Sequence, residues 1–301
     1  MKFSLLRDFL AVAERGSLRA AARHLGAAQP SISRSIQELE AQLGAVLFER
    51  SAKGVHLTPM GEVFQRRARI IFTELRRAQE ELDQMRGEGH GRATFGLSTV
   101  PQLALLPSAL RPFRQRYPDV RLDLIDTVYP GIEARLKDGT VDCYFGPVPG
   151  GVDAALSVEL LFDNTRVIVG RKGNPFSHAT SLAELVDAEW IATTITHKAE
   201  EELAPLFTQR GLPPPRVVLE AHSALTYVTL LAYSDLLMMV PVQWAQAPLF
   251  RDVLQTIPLR ETLAAPAICL VQRNGLPLTP AAEYFCDMMR RAVHHHLAGP
   301  G

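Results

Sequence analysis

Between Ser17 and Leu43 the chain reads SLRAAARHLGAAQPSISRSIQELEAQL, with apolar residues at helical spacing in two short runs divided by a tight break. The first run predicts a helix over Leu18–Leu25, with Ser17 as its cap and Gly26 just past its end. The second starts near Pro30, a residue tolerated only in a helix's first turn. Its apolar members, Ile32, Ile36, Leu39 and Leu43, are spaced four, three and four and form one stripe. The opposite face carries Gln29, Pro30, Ser33, Arg34 and Gln37, short or planar groups suited to base edges and phosphates. The pattern is that of a helix-turn-helix whose second helix would lie in a DNA major groove. Taken alone, an ordinary helical hairpin with a solvated face fits it equally well.

The flanks extend the pattern. Leu5, Phe9, Val12 and Ala13 mark an amphipathic helix that would pack on Ala21, Leu25 and Ile36. Phe48-Glu49-Arg50 and Val55-His56-Leu57 can pair as a short hairpin through Ala52-Lys53-Gly54, with Lys53 at the tip to reach phosphate or the minor groove. Thr58-Pro59 then starts a helix to about Arg86. Along it Phe64, Ala68, Ile71, Leu75, Ala78, Leu82 and Met85 alternate spacings of four and three. Such a helix is about 40 Å long, and its stripe has no partner within a small winged helix. Either it folds back on the second domain or it pairs with the same helix of a second subunit; the regular heptad and the charged opposite face favour the pairing.

Gly87-Glu88-Gly89-His90-Gly91 is the expected hinge. Beyond it strands and helices alternate: strand Ala93–Ser98, helix Gln102–Arg116, strand Val120–Asp126, helix Ile132–Lys137 and strand Val141–Phe145. This order implies a mostly parallel sheet covered by helices. A second unit begins near Arg166–Val169, with a Ser181/Glu184 capping box. It continues through Trp190–Thr193, a helix from Ala199 to about Gln209, Val217–Glu220, Ala224–Ala232 and Leu236–Val240. The chain returns at Ala267–Val271 and closes with a helix from about Thr279 to His296. A there-and-back path of this kind makes two lobes joined by two crossing strands.

Composition changes little. The chain has 301 residues, 47% hydrophobic and 21% charged, with no net charge, as expected of two or three globular domains. Residues 1–90 hold 14 Lys/Arg against 11 Asp/Glu, and the remainder 18 against 21, a mildly basic head on a mildly acidic body. Arg7, Asp8, Glu14 and Arg15 interrupt any signal-like apolar run, and no stretch reaches the ~18 apolar residues of a membrane span. Three cysteines suit a reducing cytosol. The chain is therefore expected in the bacterial cytoplasm, with no membrane partner.

In these features the chain resembles the LysR-type family of bacterial transcription regulators. The matching residues are Phe9, Gly16-Ser17, Ala21-Ala22, Leu25, Gln29-Pro30, Ser33, Leu39-Glu40, Gly44, Leu47-Phe48, Arg50, Leu57-Thr58 and Gly61. The resemblance is strong over residues 1–90 and looser beyond. Ala28 departs from it, standing where the family has a hydroxyl residue, so a cap contact of roughly 1 kcal/mol is expected to be missing. The resemblance implies an α-rich winged helix-turn-helix (1–58), a linker and dimerisation helix (59–86), the hinge (87–91) and an α/β effector-binding domain (92–301). That domain looks like the two-lobed type 2 periplasmic-binding-protein fold, with lobe 1 about 92–163 and 266–301 and lobe 2 about 164–265. The implied partners are double-stranded promoter or operator DNA, a small organic-acid effector, further copies of the chain as a homodimer or homotetramer, and RNA polymerase. No cofactor is implied. Dimerisation falls to Phe64, Ala68, Ile71, Leu75, Ala78 and Leu82.

Ligands of open α/β sheets bind beyond the carboxyl ends of the strands. That geometry selects Ser98, Thr99, Val100, Thr127 and Tyr129, with Phe145, in one lobe, and Thr194, Thr196, His197 and Ser223 in the other. Hydroxyls beside aromatic residues suit a small carboxylate or sulfonate, an aromatic one included, held by neutral donors rather than a fixed cation. Any single hydroxyl here is otherwise a simple helix cap. His294-His295-His296 ends a helix and reads as solvated rather than metal-binding. Residues 164–265 contain no cysteine, which argues against a disulfide switch in the second lobe. No GxSxG, Walker A or HExxH motif is present, so no enzyme is expected. The alternative is a small-molecule-binding protein or enzyme of the two-lobed fold with an N-terminal assembly module.

Overall fold

A computed structural model describes residues 2–51, 54–86, 90–193, 199–221 and 223–298. The chain forms two compact units, Met1–Arg92 with Ala134–Val141, and Ala93–Glu133 with Asp142–Gly301.

The first unit opens with α1 (Phe3–Arg15), α2 (Leu18–Leu25) and α3 (Gln29–Leu43). Ser17 Oγ accepts from the Ala20 N–H at 3.3 Å, and Gly26 closes α2 in the left-handed conformation. Residue 28, being alanine, gives α3 no side-chain cap. Leu5, Phe9 and Val12, Ala21, and Ile32, Ile36 and Leu39 share one core. Leu43, expected in that stripe, is 40% exposed because it lies at the last turn, where the bundle has ended. The expected wing is the antiparallel hairpin β1 (Phe48–Ser51) and β2 (Gly54–Leu57). Its tip, with Lys53, lies outside the described residues. Glu40 Oε1 accepts from the N–H groups of Leu47 (2.7 Å) and Phe48 (3.2 Å), tying the entry of the wing to α3.

α4 (Pro59–Met85) starts where Thr58 Oγ1 accepts from the Gly61 N–H at 3.0 Å. A Cβ at position 61 would stand 2.1 Å from the Leu47 carbonyl oxygen. Glycine is what lets the helix approach the wing so closely.

The second unit is built on one nine-stranded sheet. Its elements are β3 (Gly91–Leu97), α5 (Thr99–Ala104), α6 (Leu106–Arg116), β4 (Val120–Asp126), α7 (Tyr129–Lys137), β5 (Cys143–Gly146) and β6 (Leu156–Arg171). There follow β7 (Glu189–Thr193), α8 (Ala199–Thr208), β8 (Arg216–Ala221), α9 (Ala224–Ala232), β9 (Leu237–Pro241) and α10 (Val242–Gln246). The chain ends with β10 (Leu254–Ile257), β11 (Leu263–Arg273) and α11 (Pro280–Ala298). The strand order is β4-β3-β5-β11-β6-β9-β7-β8, with β10 beside β6. β6 and β11 are the two crossing strands, antiparallel and bulged between Ala265 and Ile268. One lobe packs Phe95, Phe113, Phe145 and Phe285 in its core. The other holds Trp190 with Phe207, and Leu231 with Trp244.

Four expectations need correction. The sheet is mixed rather than mostly parallel, because the crossing strands β6 and β11 run antiparallel to their neighbours. The single helix over Gln102–Arg116 is two helices, interrupted at Leu105, because Pro107 lacks an N–H and suits only a first turn. The short strand near Arg166 is the end of a 16-residue strand. Ahead of Arg166 it carries Glu159, Asp163, Asn164 and Thr165, which hid the strand pattern. Ser181 and Glu184 form no capping box: Ser181 makes no side-chain cap hydrogen bond, and only a 3-10 turn, Leu182–Leu185, follows. There Ser181 Oγ, and then the Thr180 N–H, hydrogen-bond to Glu184 and hold its carboxyl below the ordinary value.

Candidate DNA-reading face and ligand cleft

α3 buries Ile32, Ile36 and Leu39 and leaves Gln29, Pro30, Arg34 and Gln37 exposed, with Ser33 half-buried. The face predicted from spacing is therefore free of the helix's own core. That separation of faces is what a groove-reading helix needs.

The stripe along α4 divides in two. The Phe64 ring meets Phe9 edge-on at 5.0 Å between centroids, and Ala68 is fully buried, both within the winged-helix core. These two were expected at a dimer seam, but the first turns of α4 lie on α1 and consume them. Farther along, Ile71, Leu75 and Leu82 are 47%, 41% and 53% exposed, and Ala78 is exposed as well.

In the second unit a narrow cleft opens where β3 ends. Ser98, Thr99, Val100 and Thr127 line it from one lobe, and Asn164, Arg166, Met239 and Pro241 from the crossing strand and the other lobe. The cavity is small, ≈ 50 Å³, well below the ~300 Å³ of ordinary ligand pockets. Ser98 Oγ is buried there, within reach of the Tyr144 phenol. Beside it the Tyr144 phenol donates to the Pro147 carbonyl at 3.2 Å. Burial pushes that phenol above its ordinary value, and the nearby Ser98 hydroxyl softens the rise. A Cβ at Gly146 would meet Tyr144 Oη at 2.2 Å and Ser98 Oγ at 2.7 Å. Only glycine leaves room for both hydroxyls.

The structure brings together Ser98, Thr99, Val100 and Thr127, and separates the rest. Phe145 points into the lobe core against Phe95 and Phe285 and does not reach the cleft. Tyr129 is 3% exposed with its ring against Tyr144, also away from the cleft. On a fully buried strand or helix start, sequence does not reveal which way a ring points. Ser223 is the N-cap of α9, outside the cleft lining. Thr194, Thr196 and His197 lie outside the described residues.

Sequence reasoning missed Arg166. Its side chain is 12% exposed, lines the cleft, and pairs with Glu202 of α8. The expectation of neutral donors alone is thus corrected. The only available signal was one arginine opening the apolar run Val167–Val169. The helix beyond Ser98 is α5, six residues long. So short a helix gathers little dipole, and Arg166 is the stronger source of positive potential.

A wider depression, ≈ 1100 Å³, lies against β6, α10 and the end of α11. It is open to solvent and carries both signs of charge, and Arg166 and Ser98 are not part of it. Within it Gln243 Nε2 donates to Asn164 Oδ1 at 2.9 Å and lies 3.3 Å from His296 Nε2. Among the described residues no cluster suits a metal ion and no helix is long and apolar enough to cross a membrane.

Two sequence families cover the chain: the bacterial regulatory helix-turn-helix proteins of the lysR family match residues 3–62, and the LysR substrate binding domain matches residues 86–294. The SDS degradation transcriptional activation protein of a Pseudomonas species is 31% identical over 92% of this chain and 92% of its own. The HTH-type transcriptional regulator GbpR of Azospirillum brasilense is 26% identical over 97% of this chain and 86% of its own. Among solved structures, full-length CbnR complexed with its target DNA superposes with a TM-score of 0.69 at 25% identity, over 97% of this chain and 100% of that one. These regulator names set aside the alternative of an enzyme with an assembly module. The chain belongs to the LysR family, and it is a DNA-binding transcriptional regulator that carries an effector-binding domain.

Proposed function

We propose that the regulator reads operator DNA with α3, dimerises through the exposed part of α4, and responds to a small organic anion in the cleft beside Ser98. Gln29, Pro30, Ser33, Arg34 and Gln37 form the reading face, and a bidentate Arg34–guanine contact is its chief source of sequence preference. Lys53 adds a phosphate contact that carries affinity without sequence. Ile71, Leu75, Ala78 and Leu82 form the seam between two subunits, which supplies the two heads an inverted repeat requires. Dimers of this kind can pair further into a tetramer.

The observation that carries the effector reading is the buried Ser98 hydroxyl, beside the Tyr144 phenol, in a cleft that spans both lobes. A buried hydroxyl is stabilised by each further hydrogen bond it makes, and a bound anion offers Ser98 one. Thr99 and Thr127 stand beside it as further donors. Closure of the lobes on the anion would then bias the placement of the reading heads.

A thermal-shift screen of organic acids against the full chain identifies a binding acid, and calorimetry measures it against a Ser98→Ala/Thr99→Ala variant. Loss of a charged hydrogen bond weakens binding about ten- to hundredfold, with DNA affinity unchanged. Equal affinity in the variant would put the effector elsewhere.

A further inference from the structure

We propose that Arg166 sets the chemical class of the effector: it takes the carboxylate of a short-chain monocarboxylic acid, and Glu202 serves as its counter-ion while the cleft is empty. The inference rests on the reading of this cleft as the effector site.

Arg166 stands on β6 with its side chain only 12% exposed, and a guanidinium so placed needs a negative partner. Glu202, on α8, supplies it. The same guanidinium lines the cavity that holds the buried Ser98 hydroxyl. A planar fork with five donors matches a carboxylate better than any neutral group. An acid entering the cleft therefore competes with Glu202 for Arg166 and gains the Ser98 hydroxyl as well. A neutral isostere gains only the hydroxyl and leaves the Arg166–Glu202 pair intact.

The rest of the cleft narrows the class. Met239, Pro241 and Ile268 give it an apolar wall suited to a short alkyl chain, and among the described residues no aromatic side chain lines it. A cavity of ≈ 50 Å³ leaves little room for a ring. Asp126 stands at the same cleft, its Oδ1 accepting from Gln102 Nε2 at 2.9 Å. A second carboxylate on the ligand would meet that like charge. One negative charge on a small body is what these groups admit. Binding would also release Glu202, so the ion pair that links β6 to α8 opens as the effector enters.

The test uses the full chain with propionate, propionamide and succinate as probes, read by thermal shift and ligand-observed NMR. Propionate should raise the melting temperature of wild type, and the other two should not. Arg166→Gln should weaken propionate about ten- to hundredfold, and Arg166→Lys, which keeps the charge but not the fork, should fall between. Glu202→Gln should tighten propionate several-fold by removing the competitor. Unchanged propionate binding in Arg166→Gln or Arg166→Lys, weaker binding in Glu202→Gln, equal binding of propionamide, or no binding of propionate to wild type would each overturn the inference. If Ser98→Ala/Thr99→Ala loses propionate while Arg166→Gln keeps it, Arg166 is excluded and the cleft stands. If both variants keep it, the reading of the cleft falls too.

Discussion

Ala28 stands where α3 begins and leaves the first turn of the reading helix without a side-chain cap. A serine there can accept from one of the orphan N–H groups, so Ala28→Ser should stabilise the N-terminal unit by about 1 kcal/mol. Chemical denaturation followed by a probe in that unit checks it, and a lower midpoint would show that the hydroxyl has no donor in reach. His296 gives a second prediction at this scale. Burial lowers its imidazole pKa below the ordinary value of 6.5, so the folded chain binds that proton less readily than the unfolded one. Its contribution to stability is therefore complete above the ordinary histidine range and is lost as pH falls through the lowered value. Melting temperature should decline on acidification, and His296→Leu should flatten that decline between pH 7 and 5. Residue-scale features differ in how far sequence reveals them. The Ser17 and Thr58 caps and Gly26 were legible because each acts within three or four residues of itself. Arg166 was not, because its meaning comes from Glu202 and Ser98, far off in sequence.

Elements were read best where one periodicity ran uninterrupted. α2 and α9 have the predicted limits, and α3 and α4 begin or end within a residue of them. The break between α5 and α6 was missed because the apolar pattern continues across Leu105 while Pro107 restarts the backbone. α4 shows the converse, since one regular stripe divides in two. Phe64 and Ala68 complete the winged helix, and Ile71, Leu75, Ala78 and Leu82 are exposed. Spacing cannot show that division; the position of α1 does. Leu75→Asp should place a carboxylate in the apolar seam at a cost of several kcal/mol if it stays charged. Analytical ultracentrifugation should show dissociation to monomer, and an unchanged dimer would move the seam elsewhere. By contrast Phe64→Asp should unfold the winged helix itself. On α3, Arg34→Ala should cost about 1–3 kcal/mol on operator DNA and less on unrelated DNA. An equal loss on both would reassign Arg34 to a phosphate contact.

At the scale of the molecule, the two-lobed path with a winged helix ahead of it was legible from the order of elements. Of the cleft lining, Ser98, Thr99, Val100 and Thr127 were legible, and the crossing-strand side was not, since a cleft between lobes is assembled from distant segments. The central claim is that α3 reads DNA on behalf of a dimer. The most direct measurement is a footprint of the full chain on the DNA upstream of its own gene, beside a Gln29→Ala/Ser33→Ala/Arg34→Ala variant. The account predicts two protected half-sites spaced by one helical turn, about 10–10.5 base pairs, or a multiple of it. The variant should lose that protection at the same concentration while still folding and dimerising. An identical footprint from the variant, or a single unpaired protected site from the wild type, would contradict it.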